Sequence, residues 1–103
     1  MHRKRIMRRK AGADIKGIGR YTWKMWGIAQ RNEYLDGLES KINEITENPN
    51  LGTARDDLYP GLRTCLYGEH VIFYLPLGTS VAIIRVLHQS MNIKKWLDVN
   101  DIR

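Results

Sequence analysis

Four side chains in this 103-residue sequence could together act on a phosphodiester: Arg63, His70, Tyr74 and Arg85. Two arginines can hold a phosphate and stabilise charge on it, while an imidazole or a phenol moves a proton. As a grip on RNA they make a thin positive cluster, and the strand face they would share also carries Ile72, Val81 and Ile83. His88 resembles a further catalytic base, but strand parity puts it among apolar residues, where a histidine more often serves structure. Asp56-Asp57 lacks the additional ligands a metal needs and reads as a solvated turn. The sole cysteine, Cys65, sits mid-strand with nothing beside it in sequence to lower its pKa. No glycine-rich phosphate loop, metal-ligand spacing or Ser-His-acid set occurs, so neither cofactor nor metal is expected.

The elements that must position these residues centre on 62–92. That stretch reads L-R-T-C-L-Y, G-E, H-V-I-F-Y-L-P, L-G and T-S-V-A-I-I-R-V-L-H-Q-S-M-N. β-Branched and aromatic runs separated by glycine turns predict a three-stranded antiparallel meander. Gly68 suits the first position of a two-residue type II′ turn, pairing Tyr67 with His70, Cys65 with Ile72 and Arg63 with Tyr74. A second two-residue loop at Leu77-Gly78 would pair Ile72 with Ile83 and His70 with Arg85. Alternation then puts Val71, Phe73, Leu75, Ala82, Ile84 and Val86 on an apolar face that needs a cover. The mixed face, with Arg63, His70, Tyr74 and Arg85, is left for a partner.

Upstream, apolar residues at helical spacing predict a helix over 11–26 with the stripe Ile15, Ile18, Gly19, Thr22, Met25 and Trp26. Gly19 on that stripe suggests close approach of another backbone, whereas nothing in the sequence accounts for Gly17, which faces away. Gly27 caps this helix, and a second runs over 28–47 on Ile28, Tyr34, Leu35, Leu38, Ile42 and Ile45 until Asn48-Pro49 stops it. The short link makes an αα-hairpin, the natural cover for the apolar face. Residues 3–9 suit an edge strand and 50–61 a loop. Ser90 or Asn92 can cap a short helix carrying Ile93, Trp96 and Leu97, and 98–103 reads as a frayed tail. The expected class is α+β, one domain over 1–103: an N-terminal edge strand, an αα-hairpin packed on a three-stranded antiparallel meander, and a short C-terminal helix.

The net charge is +6, but Arg3, Lys4, Arg5, Arg8, Arg9 and Lys10 account for all of it, leaving eleven basic and eleven acidic residues elsewhere. Such a local excess reads first as a solvated arm or a protected edge strand, and second as a polyanion contact. No apolar run approaches the roughly 20 residues of a membrane span. A lone cysteine fits a reducing cytoplasm.

The order β-α-α-β-β-β-α, with particular words in it, resembles the ParE toxins of the RelE/ParE superfamily. The words are A-D-I at 13–15, Y-T at 21–22, W-G at 26–27, N-P-x-L-G at 48–52, G-L-R at 61–63, H-V-I-F-Y at 70–74 and I-R-V-L-H-Q-S-M-N at 84–92. Family members often carry an arginine after H-V-I-F-Y, where this chain has Leu75-Pro76. The resemblance implies the toxin of a type II toxin–antitoxin module, of the plasmid-stabilisation kind. Such a toxin stalls DNA gyrase with cleaved DNA, is not itself an enzyme, and is neutralised in a hetero-oligomer with a ParD-like antitoxin. An antitoxin segment, unfolded when free, would wrap the hairpin and a sheet edge, with Trp23, Trp26, Tyr34 and Tyr59 as anchors. Core packing is the alternative for Trp26 and Tyr34, which lie on the helical stripes. Target contact is expected from Arg85, His88, Met91, Asn92, Trp96 and Leu97. The alternative activity is that of the superfamily's enzymatic branch, a RelE-like ribosome-dependent mRNA endonuclease, with Arg63, Arg85, His70 and Tyr74 as its catalytic set.

Overall fold

Two glycine turns set the sheet. In a computed structural model that describes residues 3–103, Gly68 and Gly78 have φ of 55° and 64°, and neither is followed by a residue of positive φ. Both are therefore type II′ corners, which require glycine only at their first central position. They join β3 (Arg63–Tyr67), β4 (His70–Leu77) and β5 (Ser80–His88). The expected first register forms, with Tyr67 opposite His70, Cys65 opposite Ile72 and Arg63 opposite Tyr74. The second loop is Gly78-Thr79 rather than Leu77-Gly78, because Leu77 pairs with Ser80.

A bulge then shifts β5 against β4. Tyr74 faces Ile83 but Phe73 faces Arg85, so Ile84 is the extra residue, and the chain continues with Ile72 opposite Val86 and His70 opposite His88. One inserted residue exchanges the two faces beyond it. The expected pairs Ile72–Ile83 and His70–Arg85 do not form, and Val86 and His88 turn to the face of Ile72 and His70.

The sheet has five strands in the order β1-β5-β4-β3-β2, where β1 (Lys4–Met7) runs parallel to β5 and β2 (Thr53–Ala54) lies within the stretch expected to be a loop. Pro76 sits within β4 at a position beyond the end of β3, whose pairing stops at Tyr74. Its absent N–H leaves no neighbour unbonded.

The helices α1 (Arg9–Trp26) and α2 (Ile28–Glu47) form the hairpin. They cover the mixed face, not the apolar one: Ile18, Leu38, Ile42 and Ile45 pack on Ile72, Tyr74, Val81 and Ile83. The strictly apolar face, with Phe73, Leu75, Ala82, Ile84 and Leu87, is covered by Leu58, Leu62, Ile93, Leu97 and Ile102. Central strands buried on both faces read as near-continuous apolar runs, so alternation alone does not say which face the helices take.

The tail is folded rather than frayed. It contains α3 (Ile93–Trp96) and α4 (Val99–Ile102), the latter held by a reciprocal Asp98–Asp101 capping box, and Ile102 is 2% exposed. Arg8 donates to the carbonyls of Ile102 and Arg103 at 3.3 and 3.0 Å, and Lys10 pairs with Asp101 at 2.9 Å. Arg8 thereby satisfies acceptors that the C-terminus of α4 leaves open, and Lys10 neutralises a carboxylate of its capping box. Arg5 likewise pairs with Glu39, and Arg3 donates to the carbonyl of Glu47. Much of the basic N-terminal stretch is thus a fastening. Among the described residues no helix is long and apolar enough to cross a membrane.

The helical stripes end early. Met25, Trp26 and Ile28, expected to be buried, are exposed at the hairpin tip, Trp26 at 69%. A side chain at Gly19 would meet Leu35 and Arg31 side chains at 3.2 and 3.4 Å, so it is side-chain packing from α2, not its backbone, that comes close.

Candidate functional site

The tightest polar junction joins α1, β5 and the C-terminal segment. Asp14 accepts from Arg85 Nε and Nη2, both at 2.8 Å, and from the Val86 N–H at 2.9 Å. Arg85 Nη1 donates to the Trp96 carbonyl at 2.6 Å. The bidentate carboxylate pushes the Arg85 pKa up further, so this cation is permanent.

Beside the junction lies a groove of about 400 Å³. Its α1 wall is Ala13, Gly17, Ile18 and Tyr21; His88, Met91 and Trp96 stand opposite, and Val86 and Leu87 also line it. At one end is a histidine pair that the bulge creates, with ring centroids 5.4 Å apart and nearly perpendicular. His70 Nδ1 is 2.7 Å from the Tyr34 hydroxyl, which also accepts from the Glu69 N–H. His88 Nδ1 accepts from the Ser90 N–H at 3.1 Å, so its proton sits on Nε2, 3.5 Å from a Glu69 carboxylate oxygen.

The four residues proposed for phosphodiester chemistry do not meet. Arg63 donates to the carbonyls of Gly52 and Asn50, at 2.6 and 3.2 Å. The Tyr74 hydroxyl donates to the Pro49 carbonyl and accepts from the Gly52 N–H, beneath a side chain with no exposed surface. His70 and Arg85 both line the groove, but Arg85 is taken by Asp14, so His70 has no free cation of the set beside it. Because the bulge moved His88 to join it, the parity argument against His88 fails.

Of the residues expected to contact a target, Arg85, His88, Met91 and Trp96 line the groove together. Asn92 instead caps α3, accepting from the Lys94 N–H, and Leu97 packs on the Phe73 side of the sheet. The four expected antitoxin anchors divide. Trp23 is 58% exposed and lies with Trp26 near the hairpin tip, Tyr34 is half-buried under the histidine pair, and Tyr59 packs on the opposite sheet face. Sequence reasoning passed over Asp14, Tyr21, Met25 and Ile28. Only the A-D-I word pointed at Asp14, and local periodicity had no means of showing that the hairpin tip is uncovered.

The family model for "ParE toxin of type II toxin-antitoxin system, parDE" matches residues 6–93. The chain belongs to the ParE toxin family. Toxin ParE1 of Caulobacter vibrioides is 43% identical over 89 residues, covering 86% of this chain and 92% of that one. Toxin ParE of Escherichia coli is 33% identical, covering 85% and 86% respectively. A solved structure described as a chromosomal ParDE TA system from P. aeruginosa superposes with a TM-score of 0.72 over 84% of this chain and 96% of that one. At 19% identity it supports the shared fold.

In this ParE chain the histidine pair gives a testable pH signature. Burial, followed by the neighbouring His88, holds the His70 pKa below the usual 6.5. Tyr34, Tyr67, Glu69, His88 and Asp14 surround it, and the acids act in the opposing direction. A depressed histidine favours the neutral ring in the folded state. Its stability contribution is fully present above about pH 6.5 and is lost as pH falls through the lower folded-state value. Thermal melts from pH 7.5 to 5.0 are expected to show a steeper fall for the wild type than for His70→Gln. Parallel curves would remove His70 as the source.

Proposed function

We propose that this ParE-family toxin arrests growth in the cytoplasm by docking on DNA gyrase and holding it with cleaved DNA, and that a ParD-like antitoxin neutralises it in a hetero-oligomer. The observation that carries this reading is the fate of the polar side chains. Of those suited to RNA cleavage, Arg63 and Tyr74 are committed to the protein's own backbone and Arg85 to an ion pair, and His70 is bonded to the Tyr34 hydroxyl, whereas large apolar side chains stand free. Tyr21, Trp23, Met25, Trp26 and Ile28 are all more than half exposed around the far half of α1 and the start of α2. A cluster of that kind marks a binding surface, and aromatic residues carry a disproportionate share of interface energy. The antitoxin is placed on this hairpin surface and the target at the groove walled by Arg85, His88, Met91 and Trp96. The RelE-like nuclease reading draws no support from this arrangement.

Purified gyrase, supercoiled plasmid and ATP, quenched with detergent and protease after adding the toxin, are expected to yield linear plasmid in proportion to toxin. Equimolar antitoxin is expected to suppress it. Intact gyrase turnover, together with transcripts cut inside translated codons after induction, would replace this reading with the nuclease.

A further inference from the structure

Charge is segregated between the two helices of the hairpin. Helix α1 carries Arg9, Lys10, Lys16, Arg20 and Lys24 against the single acid Asp14, and Asp14 is occupied by Arg85. Helix α2 carries Arg31 and Lys41 against Glu33, Asp36, Glu39, Glu44 and Glu47. Interspersed signs would serve solubility equally well, whereas a positive helix beside a negative one orients the molecule in the field of a charged partner.

Within α1 the cations form a line. Lys16, Arg20 and Lys24 recur every fourth residue, all exposed. At 1.5 Å per residue they stand about 6 Å apart along the axis. None of the three has an ion-pair partner among the described residues, whereas Arg3, Arg5, Arg8 and Lys10 are used in contacts within the protein. Like charges four residues apart work against a helix, and only Lys24, in the last turn, is favoured by the helix dipole. The isolated fold therefore has no use for Lys16 beside Arg20. Ala13 and Gly17 lie next to the cations, so the surface between them is low, and a Cβ at Gly17 would stand 3.8 Å from Arg20 Nη2. The exposed Tyr21 and Trp23 project to either side of the line.

We propose that α1 lies along the phosphate backbone of duplex DNA through Lys16, Arg20 and Lys24. The inference rests on the gyrase reading above only for which duplex this is, namely the segment that the target holds. Phosphates recur about every 3.4 Å of axis on each strand, so cations about 6 Å apart on flexible stems each reach one. Lysine and arginine on phosphates carry no sequence information, so the contact is independent of sequence. An acidic protein segment would match the charge, but the line has only Ala13 and Gly17 beside its cations and no apolar anchor of the kind that holds a protein interface. A phosphate backbone needs none, because released counterions supply the affinity.

The test titrates a short fluorescein-labelled duplex with the full-length toxin, from about 50 to 200 mM salt. Lys16→Gln/Arg20→Gln/Lys24→Gln is expected to melt no lower than the wild type and to bind at least about tenfold more weakly at the low-salt end, with a salt slope reduced by about 2–3, close to one per phosphate contact. Lys4→Gln/Lys94→Gln/Arg103→Gln removes the same charge elsewhere on the exposed surface and is expected to change the affinity less than about threefold. Equal losses in the two variants, or a wild type that does not bind duplex, would overturn the inference. So would tighter binding to single-stranded RNA of the same length, or a stripe variant that loses affinity for the antitoxin and not for the duplex. Gyrase supplies a second readout: the stripe variant is expected to bind the enzyme without DNA as the wild type does, yet to yield several-fold less linear plasmid. Full linearisation by a variant that no longer binds duplex would likewise overturn the proposal. If the wild type linearises plasmid and the stripe variant matches its duplex affinity, this inference falls while the gyrase reading stands. If the wild type leaves plasmid intact but binds duplex through the stripe, the gyrase reading falls and the DNA contact stands.

Discussion

Asp14→Ala is expected to destabilise the toxin by about 3–5 kcal/mol, the range for removing one partner of a buried ion pair. In a domain of this size that lowers the melting temperature by well over 10 °C, at about 4–8 °C per kcal/mol. The Asp14 and Arg85 side chains are only 14% and 10% exposed. A guanidinium cannot escape by losing its proton, so Arg85 would stay charged with the Trp96 carbonyl and a more distant Asp101 oxygen at 4.0 Å. The Val86 N–H would lose its carboxylate acceptor as well. Circular dichroism melts of the single variants and of Asp14→Leu/Arg85→Met separate the pair from its surroundings. Because two matched apolar residues avoid an unpaired charge, the double variant is expected to melt above either single one. A wild-type melt for Asp14→Ala would mean that the junction does not hold α1 to the C-terminal segment. If the junction does hold them, the groove walls separate when it is cut, and loss of the proposed gyrase poisoning should accompany loss of stability.

That junction also shows what was legible beforehand. The words A-D-I and I-R-V-L-H were part of the family resemblance, yet nothing local says that Asp14 and Arg85, 71 residues apart, meet. The first hairpin register was readable because a glycine at the first turn position fixes it. The same rule applied to Gly78 gives the observed Gly78-Thr79 turn, so the one-position error was avoidable. The bulge was not, since an extra residue on β5 is defined only by what stands opposite it. From that residue onward the inferred faces were exchanged, which sent His88 to the wrong side and concealed its contact with His70. The tail was undervalued for a different reason: Asp98 and Asp101 have capping-box spacing, but its worth depends on Ile102 finding the Phe73 side of the sheet. Arg85, His88, Met91 and Trp96 were expected at a target surface, but that they share a groove with Ala13, Gly17 and Tyr21 of α1 is set by the tertiary fold and is written in no local pattern.

Gly52→Ala is expected to cost about 3 kcal/mol, combining overpacking with the loss of buried hydrogen bonds. The reason is space and not backbone freedom, because Gly52 has a φ of −82° that any residue adopts. A Cβ at Gly52 would lie 2.3 Å from the Thr64 carbonyl oxygen and 2.5 Å from the Tyr74 hydroxyl. The first of these belongs to the sheet backbone, so the segment before β2 must move away. Doing so strips the fully buried Tyr74 hydroxyl of its Gly52 donor and Pro49 acceptor, and takes the Gly52 carbonyl from Arg63. Tyr74→Phe in the same chain relieves one clash and removes the stranded hydroxyl, so Gly52→Ala/Tyr74→Phe is expected to recover part of the loss, with the Thr64 clash remaining. Gly12→Ala is the opposing control: its Cβ meets only Met7 at 3.9 Å, and a gain of up to about 1 kcal/mol is expected from helix propensity. Since Gly52 lies outside the exposed hairpin cluster proposed for the antitoxin, Gly52→Ala measured well below its melting point should bind antitoxin with wild-type affinity. A variant that loses affinity while fully folded would show that the antitoxin reaches the β2–β3 edge as well as α1.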